Sequence, residues 1–128
     1  MSVKFTVVPR KDPRDLNSTP KYYATAKSDG RADTNNLAKQ IARMSTVSTA
    51  DTMAMLEAFL TVVPDQLAEG KIVELGEFGT FRISISSQGA EAADKVSAAS
   101  ITEARVIFTP GKRFKDVLAT LEYEKEAG

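Results

Sequence analysis

The residues that could do chemistry in this chain are few. Among its 128 residues there is no His and no Cys. That excludes disulfides, Cys/His zinc sites, Ser-His-Asp and Cys-His nucleophile systems, and imidazole general bases. Phosphate loops fail on spacing. Gly70-Lys71 would need glycine at 65, where Asp65 stands; Gly111-Lys112 would need glycine at 106 and Ser or Thr at 113, where Val106 and Arg113 stand. Gly76 and Gly79 lack the first glycine of a dinucleotide fingerprint, because position 74 is Glu74. Asp12 and Asp15 lie in a loop punctuated by Pro9, Pro13 and Pro20 and could in principle hold a divalent cation. Two carboxylates without further ligands are far more often solvated, so no metal is expected. No nucleophile has an evident base, and an enzyme is a poor reading. What remains is charge. Lys+Arg and Asp+Glu are each 17, which excludes a uniformly basic nucleic-acid binder but not a locally basic face. Residues 1–31 hold seven basic and three acidic residues, net +4, which leaves net −4 for the rest.

These residues must be positioned by elements legible in the hydropathy pattern. Residues 3–8 alternate, with Val3, Phe5 and Val7 on one side, which predicts a half-buried strand ended by Pro9. Residues 9–20 read as a loop and 22–27 as a second strand, too far from the first for a tight hairpin. Asp33 or Thr34 can cap a short helix carrying Leu37, Ala38, Ile41 and Met44 at helical spacing. Ser48 or Thr49 can cap a longer one, with Met55, Leu56, Phe59, Leu60, Val63 and Leu67 as its apolar positions and Gly70 as its stop. Pro64 lies inside it and predicts a kink or break. The period then changes to two. Strands are expected over 71–75, 80–86 and 104–109, the last two separated by a small, polar, mobile excursion over 87–104. Pro110-Gly111 turns the chain into a last helix with Phe114, Val117, Leu118 and Leu121 on one face, followed by an acidic tail over 122–128.

The length predicts one domain with a modest core, and the mix of helices and strands makes it α+β. The long helix bears an apolar face wide for so small a sheet. Either the sheet covers all of it or, as size favours, a second chain does so in an intertwined two-fold dimer. No apolar run approaches the roughly 18–20 residues of a membrane span. Met1-Ser2-Val3-Lys4 opens no signal peptide, so a cytosolic protein is expected.

Two stretches are the most specific. One is Gly70 to Phe81, with a helix stop, a strand and the turn Gly76-Glu77-Phe78-Gly79-Thr80-Phe81; the other is Phe108-Thr109-Pro110-Gly111-Lys112. About 26 residues lie between Phe81 and Phe108. At these residues, over roughly 34–121, the chain resembles the bacterial HU/IHF family of histone-like DNA-binding proteins, and within it a subgroup of HU-related proteins with an N-terminal extension, here residues 1–33. The resemblance implies an HU/IHF-like intertwined dimer. Its parts would be two N-terminal helices, a three-stranded antiparallel sheet with a β-arm, a C-terminal helix, and an N-terminal β extension packed on the same domain. Leu56, Phe59, Leu60, Val63, Phe78, Phe81 and Phe108 would form the dimer core. It implies a homodimer binding double-stranded DNA largely without sequence preference, in the nucleoid of the bacterial cytoplasm, with no cofactor, metal, membrane or small-molecule substrate. Affinity would then come from counterion release and fall steeply with salt.

The resemblance assigns Lys112, Arg113 and Lys115, at the start of the last helix, to phosphate contacts on the rim of a DNA-binding saddle, against the alternative of a solvated helix start. Arg82 and Arg105, near the base of the arm, face either DNA or solvent. The arm departs from the family. Over 86–104 Lys95 is the one basic residue against Glu91, Asp94 and Glu103, and there is no proline to wedge between base steps. In the extension Arg10, Lys11 and Arg14 are candidate phosphate contacts or ordinary loop charges, and the adjacent Tyr22 and Tyr23 are read as structural. A second function stays open on the neutral total and the acidic arm: a dimeric structural or protein-interaction module that keeps the fold with weak or lost DNA binding.

Overall fold

The alternation of Val3, Phe5 and Val7 does form a strand, β1 (Val3–Arg10), and it sits in the middle of a sheet. The computed structural model describes residues 2–15 and 17–126. These divide into two compact units, one of residues 1–33 with 117–128, the other of residues 34–116.

In the first unit β1 pairs antiparallel with β2 (Lys21–Lys27), from Lys4 opposite Lys27 to Arg10 opposite Lys21. Its other edge is covered by a parallel strand from the chain's end, β6 (Tyr123–Lys125), with Val3 opposite Tyr123 and Phe5 opposite Lys125. The Val3 N–H donates to the Glu122 carbonyl at 2.8 Å and the Glu126 N–H to the Phe5 carbonyl at 2.9 Å. The acidic stretch expected as a tail is thus a strand. Its charges meet the basic segment directly: Lys27 pairs with Glu126 at 2.5 Å and the Ser2 hydroxyl donates to Glu124 at 3.1 Å. The sign asymmetry of the sequence largely cancels within this unit, which holds eight basic and seven acidic residues.

The second unit opens with α1 (Thr34–Arg43) and α2 (Thr49–Ala68). Ser48 is the N-cap of α2, its hydroxyl accepting from the Asp51 N–H at 3.1 Å, with Asp51 also favoured beside the positive helix end. At the other end the Gly70 N–H donates to Leu67 and the Lys71 N–H to Gln66, which satisfies two of the last carbonyls in a Schellman arrangement. Pro64 does not break α2, which runs for 20 residues through it. It lies beside Val63 and Leu67 in an apolar groove shared with Phe81, Ile83 and Val106 of the sheet. The buried residues of α2, Thr52 and Leu67, lie on either side of the proline and anchor both halves of the helix against its propensity.

The sheet has the order β3 (Val73–Glu74), β4 (Gly79–Ser87), β5 (Ile101–Pro110), all antiparallel. Opposed residues share a face. Phe81 opposite Phe108 and Ile83 opposite Val106 make the apolar face, toward α2; Thr80 opposite Thr109, Arg82 opposite Ile107 and Ser84 opposite Arg105 make the other. The strands stop pairing at Ser87 and Ile101, after a register shift. Residues beyond do not extend as a ribbon arm. They fold into two 3-10 turns, Ala93–Lys95 and Ala98–Ser100, closed by the Gln88 N–H donating to Ser100 at 2.8 Å. The segment is Ala- and Ser-rich and lacks the β-branched and aromatic cross-strand pairs that stabilise a ribbon.

The helix α3 (Lys112–Ala119) begins in this unit, and Phe114 joins Phe78, Phe81 and Phe108 in one aromatic cluster. The Phe78–Phe114 and Phe108–Phe114 rings meet edge to face at 4.8 and 5.6 Å, a favoured arrangement. Among the described residues, only Ala38 and Leu67 of the hydrophobic side chains are buried within the chain. Of the residues expected in a dimer core, Phe59, Leu60 and Phe78 remain 43–44% exposed, and Leu56, Val63, Phe81 and Phe108 are half-buried.

Candidate nucleic-acid interface

Two close backbone approaches position the basic start of α3. Gly79 has φ +147°, and a Cβ there would lie 2.5 Å from the Thr109 carbonyl and 2.7 Å from the Phe108 ring. A Cβ on Gly111 would fall onto the carbonyl of Glu77. Only glycine fits either place. The approach lets the Gly111 N–H donate to Phe78 at 2.9 Å and the Arg113 N–H to Glu77 at 3.0 Å. The turn before β4 therefore occupies amides at the start of α3 that a helix otherwise leaves open. Any phosphate here must be met by the side chains of Lys112, Arg113 and Lys115 rather than by those amides.

All three side chains are exposed. Lys112 pairs with Asp116 one turn on at 3.2 Å, and Arg113 with Glu77 at 3.6 Å. Lys115 makes no ion pair among the described residues. Such exposed pairs are worth about 0–1 kcal/mol, so a phosphate can replace the carboxylate at little cost.

On the polar face of the sheet, Arg82 and Arg105 stand on neighbouring strands, as the sequence suggested, one register step apart on the same side. Arg105 donates to the Ser86 hydroxyl and lies 3.9 Å from Glu103. Arg82 has no ion pair among the described residues. Around them the face is paved with Thr80, Ser84, Ser86 and Thr109. These short hydroxyl side chains permit close approach and can donate to phosphate oxygens. The amino-acid pattern did not single them out; the alternation of β4 combined with the register of β5 is the signal that would have. Lys95 stands apart from this group, on the first 3-10 turn beyond the end of the paired strands.

In the other unit, Arg10 and Lys11 line one cavity together with Lys21, a residue that its sequence context does not mark out. Arg14 is not among the lining residues; its N–H donates to Asp12 Oδ1 at 2.9 Å. Asp15 Oδ1 accepts from the Asn17 N–H at 3.1 Å. The two loop carboxylates thus shape their own turns. Among the described residues no group of three or more acidic side chains could hold a metal ion, and no helix is long and apolar enough to cross a membrane.

A helix pair, a two-faced three-stranded sheet and a closing helix tied to a glycine-aromatic turn define an HU-like fold. The chain belongs to the HU-HIG family, described as an HU domain fused to wHTH, Ig, or glycine-rich motif, whose profile matches residues 1–125. Among solved structures the chain is similar to a candidate bacterial DNA-binding protein from Bacteroides vulgatus, with a TM-score of 0.65 and 16% identity. The match covers 98% of this chain and 50% of that one, so the chain spans half of that protein's length. It is also similar to HU from Anabaena, in an HU–DNA cocrystal, with a TM-score of 0.53 and 20% identity over 69% of this chain and 98% of that one. At these identities the likeness is one of fold. No curated protein matches the sequence.

Proposed function

We propose that the protein is an architectural, largely sequence-nonspecific binder of double-stranded DNA that acts as a homodimer in the bacterial nucleoid. The observation that carries this reading is the division of the sheet into two faces. One bears Arg82, Arg105 and four small hydroxyl residues, with Ile107 and Glu103 among them; the other is apolar and faces α2. Lys112, Arg113 and Lys115 at the head of α3 would add phosphate contacts to those of Arg82 and Arg105, with Lys95 further out. Residues 34–121 form the DNA-binding domain in this reading and residues 1–33 its extension.

The homodimer is supported by what a single chain leaves uncovered. Phe59 and Leu60 on α2 are over two-fifths exposed, and a groove of about 300 Å3 between α2 and the sheet is lined by Val63, Leu67, Phe81, Ile83 and Val106. A second copy presenting the same surfaces would fill both by two-fold symmetry. No cofactor or small-molecule substrate enters this function.

Fluorescence anisotropy on random-sequence duplexes tests it. Binding at about 50 mM salt that weakens steeply by about 200 mM, and varies little between sequences, is the expected result. No binding at the lower salt with micromolar protein removes it. The second reading, a dimeric interaction module with weak DNA binding, is favoured by the balance of residues 34–116, where ten acidic residues face nine basic ones. A stable dimer without duplex affinity would establish that reading instead.

A further inference from the structure

The β1–β2 pair carries a basic residue opposite a basic residue at each of its two ends, Lys4 with Lys27 and Arg10 with Lys21. Like charges directly opposed across strands are destabilising. At the first end the repulsion is answered: Lys4 pairs with Asp29 at 3.6 Å and Lys27 with Glu126 at 2.5 Å. At the second end it is not. Arg10, its neighbour Lys11, and Lys21 have no acidic partner within ion-pair distance among the described residues.

These three residues line a cavity of about 460 Å3 together with the hydroxyl-bearing Thr19 and Tyr23. Tyr23 shares the strand face of Arg10 and Lys21. One carboxylate, Asp12, lines the cavity as well, and it already accepts from the Arg14 N–H. Three cations against one engaged carboxylate leave the cavity positive, and its volume is that of a small-ligand site. We infer that this cavity is a phosphate-binding site. The Arg10 guanidinium can grip two phosphate oxygens as a fork, Lys11 and Lys21 supply point charges, and the Thr19 and Tyr23 hydroxyls donate to what remains. A bound phosphate would also supply the negative charge that relieves the Arg10–Lys21 opposition. The inference concerns a different unit from the sheet described above and does not depend on it.

The test uses the full chain. Amide spectra are followed by NMR while inorganic phosphate and then pyrophosphate are titrated at constant ionic strength, with chloride as the reference anion. Saturable shifts at Arg10, Lys11, Thr19, Lys21 and Tyr23 are expected. They should be lost in R10Q/K21Q and kept in K4Q/K27Q. The R10Q/K21Q variant removes a repulsion, so it should melt no lower than the unaltered protein in chloride while losing the stabilisation that phosphate confers. Absence of saturable shifts, or their survival in R10Q/K21Q, overturns the inference. A duplex titration identifies the source of the phosphate. A drop of about 2 in the slope of log K against log salt for R10Q/K21Q marks backbone phosphates as the ligand. An unchanged slope with intact phosphate shifts in the unaltered protein supports the site for a free phosphorylated compound. Phosphate shifts in a protein that binds no duplex uphold the site while removing the DNA function.

Discussion

Replacing Phe59 by alanine should weaken self-association about a thousandfold while leaving the helices in place. Phe59 lies on α2 and stays 43% exposed in the single chain. For a side chain burying about 200 Å2, that leaves about 85 Å2 to be covered by a partner. At ~25 cal/mol per Å2 the ring then contributes ~2 kcal/mol. A two-fold dimer contains the ring twice, so the variant loses ~4 kcal/mol of association free energy, which is about three powers of ten in Kd. Sedimentation equilibrium over a dilution series from about 100 μM to about 10 nM reads this directly, since the crossover between dimer and monomer mass moves with Kd. Circular dichroism checks that helix content is retained. Two outcomes refute the reasoning. One is a variant whose crossover coincides with that of the unaltered protein. The other is an unaltered protein that sediments at the 13.9 kDa of a single chain at the highest concentration.

Gly111→Ala should cost about 1–3 kcal/mol, read by urea denaturation, because the new Cβ would meet backbone that cannot move aside cheaply. An unchanged midpoint would show that the packing of α3 on the glycine-aromatic turn is looser than its hydrogen bonds indicate. Ser48→Ala removes the cap on the Asp51 N–H and should lower stability by about 1 kcal/mol, shifting the midpoint without altering the slope m. K112Q/R113Q/K115Q should reduce the salt slope of duplex binding by up to about 2.7, at ~0.9 for each phosphate that the variant no longer neutralises. A slope equal to that of the unaltered protein would exclude these side chains as DNA ligands.

Much of this was written in local chemistry. The Ser48 cap, the stop at Gly70, the alternation of β4 and the order of helices and strands depend on residues within a few positions of one another, so a linear reading recovers them. The pair of glycine-aromatic motifs was legible for the same reason, although why they recur together was not. Gly79 and Gly111 are required because they approach Thr109 and Glu77, an arrangement that exists only once β4 and β5 have paired. Phe114 reads as one residue of an amphipathic helix, yet its ring packs on Phe78 and Phe108 from β4's entry turn and β5. Pro64 reads as a break, yet α2 runs through it, with buried Thr52 and Leu67 on either side.

By itself the amino-acid sequence determined the three helices, the strands β1 to β5 and their order, the apolar face of the long helix and the absence of catalytic imidazole or thiol chemistry. Those follow from residue identity and short-range periodicity. Tertiary structure alone decided which charges meet. It turned the acidic end into a strand beside β1, set Glu126 against Lys27, engaged Lys112 and Arg113 with carboxylates, and left Arg10, Lys11 and Lys21 lining a cavity without an ion-pair partner among the described residues. The physical reason is that Coulomb interactions depend on distance in space. A short strand that sets Tyr123 beside Val3, from opposite ends of the chain, leaves no trace in local pattern.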